Sequence, residues 1–252
     1  DIDELVDLRG RELKRVHRCA WYTEADRLIR TQTSLVVNHT TARMPDATID
    51  QVLRYLRETP EPVDMISLNT GNIVYNTPLV NGSRRSIAIP NSYEDIRQII
   101  LACRERGIVP EPAVLDTGFL TNVATLVEDG LLPVPRYLLV EFSGRFGDGF
   151  QIMPGTPRSY FYMTECVKEL FPQAIWAAHG YEDSVFTIGN LAITTGAHIR
   201  VGFEDRATLV DRSLAASNAD FVKWAVEVAR ANGREPASPM EARQMIGLAV
   251  GA

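Results

Sequence analysis

The chain has 252 residues, of which 45% are hydrophobic and 23% are charged, and its formal net charge is −6. A chain of this length can bury a sizeable core, and barrels of alternating strands and helices commonly fold at this size as one domain. The acidic balance argues against the strongly basic surface that binds nucleic acids or anionic membranes.

Targeting and membrane signals are missing from the sequence. No apolar run approaches the roughly 18 residues of a membrane-spanning helix. Residues 1–4 do not resemble the basic, apolar start of a signal peptide. The three cysteines, Cys19, Cys103 and Cys166, are odd in number and share no metal-ligand spacing. We therefore expect reduced thiols and a cytoplasmic protein.

The first 33 residues differ from the rest of the chain. They are charged throughout, and their apolar residues recur at helical rather than strand spacing. Residues 22–31 are predicted to form the helix that precedes the first strand. We expect this segment to be helical and to supply no strand.

From residue 34 onward, short apolar runs alternate with amphipathic ones. The predicted strands are 34–40, 64–70, 108–115, 137–142, 175–179 and 198–203. The predicted helices are 49–57, 92–106, 119–129, 159–171, 183–195, 216–231 and a last one from 238 to about 248. Ser92 with Asp95 forms a capping arrangement, and Gly107 is a typical helix end.

Six strand-then-helix units in succession imply right-handed crossovers and a parallel sheet. An open doubly wound sheet and a closed barrel both fit this pattern. The sequence contains neither a Gly-x-Gly-x-x-Gly nor a Gly-Lys-Ser/Thr motif, so a nucleotide-binding reading has no support. Polar residues recur at the strand ends, which favours a barrel, because barrel sites are assembled from many strand tips.

The predicted architecture is therefore an α/β fold, a (β/α)8 barrel of the TIM type. Residues 1–252 are expected to form a single barrel domain, with recognisable strand-helix units over 34–248. Such a barrel has eight strands, and the sequence supplies six. We therefore expect the first two strands to be absent from this chain, and either to precede Asp1 in a longer parent or to come from elsewhere.

Residues 197–205, Ala-His-Ile-Arg-Val-Gly-Phe-Glu-Asp, are the most informative stretch of the chain. If the strand stays regular, alternation places His198, Arg200 and Glu204 on one face. Asp205 then lies at the carboxyl end of the strand, where sites of parallel sheets occur. A cation and two carboxylates in this position can bind a metal and move protons. The alternative is a buried Arg-Glu ion pair that closes the strand.

Several motifs in the same order resemble the β-keto acid cleavage enzymes, a group that includes 3-keto-5-aminohexanoate cleavage enzyme. The similarity runs from residue 34 to residue 248. The most specific motif is the His-x-Arg-Val-Gly-x-Glu-Asp signature at 198–205. The supporting motifs are Ser-Leu-Asn-Thr-Gly at 67–71, Pro-Glu at 110–111 with Leu-Asp-Thr-Gly at 115–118, Trp176, and Ser-Asn-Ala at 217–219.

This resemblance implies an enzyme that cleaves a β-keto acid with acetyl-CoA and yields acetoacetate and an acyl-CoA. It implies zinc as the metal, with Glu204 as one ligand, and catalytic roles for Arg200 and Asp205. The hydroxyl residue that ends the third strand of the family matches Thr40. The polar run after the next strand matches Asn69 and Thr70. A small-molecule substrate and a homo-oligomer are expected, and no nucleic-acid or membrane partner.

Two departures from the family pattern bear on these expectations. The family's His-x-His metal pair is absent, since the four histidines are His17, His39, His179 and His198. The usual glutamate of the fifth barrel strand is replaced by Ala113, and Glu111 lies on the same face one pleat deeper. A catalytically silent barrel used for binding or assembly, or another metal-dependent lyase or aldolase, therefore remains an alternative.

Three further features bear on the site. His179 ends a strand and is either a buried histidine or a substitute metal ligand. His39 is predicted to face the helices as a core histidine. The glycine-rich run at 143–149 is either a lid or CoA phosphate cradle, or a plain loop.

Overall fold

A computed structural model describes residues 5–6, 12–13, 18–43, 47–61, 63–78, 83–144 and 149–248 of the chain. The strands are β1 (Leu5–Val6), β2 (Glu12–Leu13), β3 (Asn38–Thr40), β4 (Met65–Asn69), β5 (Ile73–Pro78), β6 (Arg84–Ile89), β7 (Val109–Val114), β8 (Tyr137–Phe142), β9 (Ile175–Gly180) and β10 (His198–Ile199). The helices are α1 (Arg18–Gln32), α2 (Ile49–Glu58), α3 (Tyr93–Arg106), α4 (Thr117–Glu128), α5 (Pro157–Leu170), α6 (Val185–Thr194), α7 (Asn218–Ala231) and α8 (Pro239–Ile246). A short 3-10 helix, Glu182–Ser184, precedes α6.

The main sheet contains six parallel strands in the order β10-β9-β8-β7-β4-β3. This spatial order follows the chain order without reversal. Because crossovers between parallel strands are nearly always right-handed, an unreversed order places every connecting helix on the same side of the sheet. A doubly wound sheet would require a reversal. The predicted α/β barrel architecture is confirmed, and the described residues supply six of the eight strands of a complete barrel.

The two faces of the sheet carry different side chains. Ile66 and Leu68 of β4 and Leu138 and Val140 of β8 are fully buried, at 0% exposure, in the core between the sheet and its helices. Each buried side chain of this size contributes roughly 1.5–3 kcal/mol. The alternate positions face the barrel interior, and several of them carry polar side chains, among them Ser67, Asn69 and Glu141. None of the described helices is long and apolar enough to cross a membrane.

The two edge strands are shorter than the sequence predicts. β3 begins at Asn38 rather than at residue 34, and β10 ends at Ile199 rather than at residue 203. One more ladder bond follows β10, from the Arg200 N–H to the Ala178 carbonyl, 3.3 Å. The chain then turns, and the Asp205 N–H donates to the Gly202 carbonyl at 3.1 Å. The signature therefore ends in a turn and not in a strand.

Two pairs of strands were not predicted. β5 and β6 form an antiparallel hairpin between β4 and α3, in a stretch that the sequence analysis left unassigned. β1 and β2 also pair antiparallel, so the helical prediction for residues 1–33 is wrong at these four residues and agrees with α1 further on. A strand pair depends on a partner elsewhere in the chain, which local apolar spacing does not identify.

Asp64 connects three elements at the amino-terminal side of the sheet. Its Oδ2 accepts the N–H of Val37 at 2.8 Å, just before β3. Its Oδ1 accepts Nη1 of Arg243, on α8, at 2.8 Å. Arg30 of α1 lies 3.6 Å from Oδ2. Side-chain exposure is 13% for Asp64 and 18% for Arg243, so this ion pair is largely desolvated and joins α8 to the edge of the sheet.

Replacing Asp64 by Ala is expected to lower the free energy of unfolding by roughly 2–4 kcal/mol, because a largely buried arginine and an N–H lose their partner. The measurement is urea unfolding at neutral pH. The matched control is Glu105→Ala, which breaks an exposed ion pair with Arg57 and should change stability by less than about 0.5 kcal/mol. Equal effects of the two substitutions would show that Asp64 does not join these elements.

Candidate functional site

A cavity of about 1000 Å³ lies inside the barrel toward the carboxyl ends of the strands. Side chains from β3, β4, β7, β8 and β10, from the β5–β6 hairpin and from the segments after β9 and β10 line it. Five of the six predicted site residues line it, namely Thr40, Asn69, Arg200, Glu204 and Asp205. The strand ends therefore converge on one cavity.

Arg200 is the centre of the signature. Its Nη2 lies 3.3 Å from Asp205 Oδ1 and also donates to Glu204 Oε2. The two carboxylates occupy different environments, since the Asp205 side chain is 1% exposed and that of Glu204 is 76% exposed. The strand does not stay regular as far as Glu204, because β10 ends at Ile199 before the turn, but Glu204 still lines the cavity together with Arg200. Arg200 and Glu204 form an ion pair at the rim of the cavity.

The turn that presents Asp205 is held by two hydrogen bonds. The Asp205 carbonyl accepts the N–H of Glu182 at 2.8 Å, and the Phe203 N–H donates to Asn218 Oδ1 at 2.9 Å. A Cβ on Gly202 would lie 3.1 Å from the same Asn218 oxygen. Gly202 of the signature and Asn218 at the start of α7 therefore fit together, and they fix the backbone on both sides of Glu204.

Glu141 and His179 are site residues that the sequence analysis missed or placed differently. Glu141 lines the cavity from β8, and its Oε2 lies 3.1 Å from His179 Nε2. Tyr181 Oη donates to the same oxygen at 3.1 Å. His179 Nδ1 lies 3.3 Å from Asp205 Oδ1. The available sequence signal for Glu141 was a lone carboxylate within the apolar run of β8.

Negative and positive charges alternate along the row Glu141, His179, Asp205 and Arg200. The pKa values of Glu141, His179 and Arg200 follow from this alternation. Burial alone would lower the pKa of His179, but the charge of Glu141 and the contact with Asp205 outweigh it and raise the pKa to about 9. Burial opposes ionisation of Glu141, yet His179 and then Arg200 lower its pKa below the usual value. Burial also disfavours the Arg200 cation, and Asp205 and Glu141 nevertheless raise its pKa.

Glu111 forms a second polar group deeper in the barrel. Its Oε2 accepts Nδ2 of Asn38 at 2.8 Å, and its carboxyl also bonds to Tyr137. Burial raises the pKa of Glu111, and the charge of Glu141 acts in the same direction. As predicted, Glu111 lies one pleat deeper than Ala113, since Ser67 pairs with Glu111 and Asn69 with Ala113. Ala113 itself is fully buried.

The three predicted polar residues after β3 and β4 do not share one environment. Thr40 Oγ1 accepts the Ala42 N–H at 2.9 Å, and Thr40 and Asn69 line the cavity. Thr70 is fully buried, and its hydroxyl donates to the carbonyls of Ala113 and Phe119 at 3.1 and 3.0 Å. The Thr70 side chain therefore holds the backbone behind the cavity and does not reach into it.

An aromatic row forms one wall of the cavity. Tyr75 from the β5–β6 hairpin stacks on Phe150 with ring centroids 5.7 Å apart, and Phe150 stacks on Tyr181 at 5.4 Å. All three residues line the cavity. Residues 145–148 of the glycine-rich run lie outside the described residues, so its role as a lid or as a CoA phosphate cradle stays a prediction. This aromatic wall adjoins the charged side chains, because the Tyr181 hydroxyl donates to Glu141.

The described residues do not form a metal centre. Glu204 is exposed and paired with Arg200, and no group of three His, Cys, Asp or Glu side chains within the described ranges can hold a metal ion. His179 contacts Glu141 and Asp205 rather than Glu204. His39 faces the helices, as predicted, with Nε2 at 2.9 Å from Asp26 and Nδ1 bonded to Tyr55. The predicted zinc ligand Glu204 therefore stands alone.

Fold and site together define a parallel α/β-barrel protein with a cation and buried carboxylates at the carboxyl ends of its strands. The family model of the beta-keto acid cleavage enzymes matches residues 6–248. The chain belongs to this family, which confirms the resemblance seen in the sequence.

Curated relatives support the same assignment. The 3-keto-5-aminohexanoate cleavage enzyme of Fusobacterium nucleatum is 30% identical over 196 residues, which cover 78% of this chain and 65% of that enzyme. The 3,5-dioxohexanoate:acetyl-CoA acetone transferase of Paraburkholderia graminis is 25% identical over 236 residues, or 87% of this chain and 74% of that enzyme.

Solved structures support the fold. The apo structure of ObcA superposes with a TM-score of 0.71 at 15% identity, covering 94% of this chain and 56% of that one. The chain thus spans 65% of the length of the Fusobacterium relative and 56% of ObcA. At this identity the structural match supports the fold alone.

The raised pKa of His179 predicts a pH-dependent stability. A base whose pKa rises from about 6.5 to about 9 on folding stabilises the protein fully below pH 6.5, and this contribution is lost as pH rises through 9. The free energy of unfolding of the unmodified chain should therefore fall over this window, by roughly 3 kcal/mol at most.

Chemical denaturation at several pH values measures this effect in the unmodified chain and in two variants. His179→Gln should remove the part of the decrease in the free energy of unfolding with rising pH that depends on this ring. His198→Gln is the matched control, because burial and then Arg234 lower the pKa of His198 and give its contribution the opposite sign. The same pH slope in the unmodified chain and in His179→Gln would contradict the assignment.

Proposed function

We propose that the chain cleaves a β-keto acid together with acetyl-CoA, and that acetoacetate and the CoA thioester of the remaining acyl group are the products. Membership of the family and the relatives named for acetyl-CoA transfer support this proposal. The observation that carries it is Arg200 beside the buried Asp205 in the wall of one large cavity.

The net reaction exchanges two bonds. In the β-keto acid, the bond between the keto carbon and the α-carbon breaks, and the α-carbon bonds to the acetyl carbon of acetyl-CoA. The thiolate of CoA leaves the acetyl group and bonds to the former keto carbon. Atoms and charge balance without an oxidant, a reductant or water, so the protein has to supply a base, a proton donor and binding groups for charge.

Asp205 fits the role of the base in this scheme. Its carboxylate lines the cavity and can remove a proton from the α-carbon, which then attacks the acetyl group. After the thiolate attacks the keto carbon and the C–C bond breaks, the same carboxyl group can return the proton to the α-carbon of acetoacetate. One residue therefore serves both proton transfers.

Arg200 fits the role of the group that binds the substrate carboxylate. A guanidinium matches a carboxylate through two parallel N–H donors. Its present partner Glu204 is mostly exposed, and exposed ion pairs are worth little, so exchange of Glu204 for a substrate carboxylate has a low cost. The aromatic row of Tyr75, Phe150 and Tyr181 offers an apolar surface for the rest of the substrate.

A catalytically silent barrel is the second candidate function. The observations that favour it are the buried Ala113 in place of a carboxylate and the solitary Glu204. Such a protein would bind a small carboxylate in the same cavity without turnover. A different lyase or aldolase on this barrel would release a product that carries no CoA.

The test is incubation with acetyl-CoA, labelled with ¹³C in the acetyl group, and a panel of β-keto acids. We expect label in acetoacetate and a new acyl-CoA, both measured by mass spectrometry. Arg200→Ala should reduce kcat/KM roughly 100-fold or more, since it removes the charged donor for the substrate. Arg230→Ala, which breaks an exposed ion pair with Glu235, is the matched control and should leave kcat/KM unchanged.

Each outcome points to one of the candidate functions. Labelled acetoacetate with an acyl-CoA supports the proposal. Cleavage without a CoA thioester supports a different lyase. Calorimetric binding of acetoacetate without turnover of any β-keto acid supports the silent barrel.

Zinc dependence, which the resemblance implies, requires its own measurement. A catalytic zinc site normally takes three protein ligands, and the resemblance assigns one in this chain, Glu204. The 252-residue chain is therefore expected to bind less than one zinc per chain, and Glu204→Gln should lower this content further. Metal analysis of both proteins decides the matter. Stoichiometric zinc that persists in Glu204→Gln would show that Glu204 is not a ligand.

A further inference from the structure

We propose that His179 is a positioning residue of this site, whose ring bridges Glu141 and Asp205 and turns one oxygen of each carboxylate toward the cavity. The proposal rests on the proposed function for its chemical meaning. Its geometry can be tested separately.

The first observation is the place of His179 at the carboxyl end of β9. The residue is 1% exposed and is not part of the cavity lining, whereas Glu141 and Asp205 both line the cavity. The ring lies behind these two carboxylates, with Nε2 at 3.1 Å from Glu141 Oε2 and Nδ1 at 3.3 Å from Asp205 Oδ1. His179 can therefore act on a substrate through its neighbours and not by contact.

The second observation is which oxygens are engaged. The contact of His179 with Asp205 and that of Arg200 with Asp205 both go to Oδ1. The contacts of His179 and Tyr181 with Glu141 both go to Oε2. Within the described ranges, no hydrogen bond or ion pair reaches Asp205 Oδ2 or Glu141 Oε1. Each carboxylate is therefore held by one oxygen and keeps the other for the cavity.

The third observation is the nature of the two contacts. Both ring nitrogens are within ion-pair distance of a carboxylate, but neither contact has hydrogen-bond geometry. The attraction is therefore mainly between charges, and it requires a ring protonated on both nitrogens. Without that cation, Glu141 and Asp205 would share Arg200 as the nearest positive charge, with Glu111 as a further buried carboxyl group nearby. Repulsion would then drive the carboxylates apart.

The fourth point separates this role from simple packing. A histidine that only fills space would affect stability and leave the carboxylates in place. A histidine that orients Asp205 affects the proton transfers, because a small displacement of a base from the reacting atom lowers the rate steeply. Substrate binding through Arg200 is a separate contact and should persist when His179 is replaced.

The experiment uses the full chain, labelled with ¹⁵N in its four histidines, and NMR of the ring nitrogens. His179→Gln assigns the His179 signals by their loss. We expect both nitrogens of His179 to be protonated at pH 7. Asp205→Asn should shift Nδ1 more than Nε2, and Glu141→Gln should shift Nε2 more than Nδ1. The bridge is refuted if one ring nitrogen of His179 is unprotonated, or if neither substitution shifts the ring nitrogen signals.

The kinetic arm measures kcat and, by calorimetry, the Kd of acetoacetate. His179→Gln should lower kcat roughly 100-fold and keep Kd within about threefold, as expected for an interaction realised mainly in the transition state. His198→Gln is the control, because His198 faces the smaller cavity near α8 and contacts neither carboxylate. An unchanged kcat in His179→Gln, with intact fold by circular dichroism, refutes the positioning role.

Failure of the proposed function gives a different pattern. If the unmodified chain turns over no β-keto acid, the proposed function fails whatever the NMR shows. The bridge is then decided by the two ring nitrogens alone. If turnover is normal, but the His179 ring is neutral or its nitrogen signals do not respond to the substitutions of Asp205 and Glu141, the proposed function stands and the proposal for His179 fails.

Discussion

The burial of three carboxyl groups inside one barrel is the constraint on which the site depends. Glu111, Glu141 and Asp205 are each 5% exposed or less, and a buried charge is stable only when it is paired or neutralised. The three groups meet this condition in different ways. Glu111 has a raised pKa and hydrogen-bonding neighbours, Glu141 is paired with His179, and Asp205 lies between His179 and Arg200. The barrel interior thereby holds both proton acceptors and anion-binding groups.

The architecture explains why these groups meet. Parallel strands in unreversed order place all helices on one face of the sheet, so the other face is free to carry polar side chains. The apolar core is built outside the sheet, between Ile66, Leu138 and the helices. The interior is thus released from a packing role, and the β5–β6 hairpin adds an aromatic wall to it. A large cavity with both charged and aromatic side chains in its wall suits the proposed substrate, a carboxylate joined to an acyl chain.

The sequence predicted the strand and helix order, the caps of α3, and the position of Glu111 relative to Ala113, because these follow from local periodicity and alternation. It did not predict the hairpin or the β1–β2 pair, because the apolar spacing within one strand does not identify the strand that it pairs with. It also did not show that the Asp205 side chain is buried and that of Glu204 exposed. Alternation holds only along a regular strand, and β10 stops at Ile199, five residues before Glu204. The metal ligand predicted at Glu204 remains a single exposed carboxylate.

By itself, the sequence determined the family, the parallel α/β order and the signature residues Arg200 and Asp205, since these are written in motifs of neighbouring residues. The tertiary structure alone decided that Glu141 of β8 and His179 of β9 join them, that Thr70 faces the backbone behind the cavity, and that Asp205 rather than Glu204 is the buried carboxylate. The reason is physical. The fold brings His179 beside Glu141 and Asp205, which are 38 and 26 positions away along the chain, and no local pattern records which residues will share one buried charge.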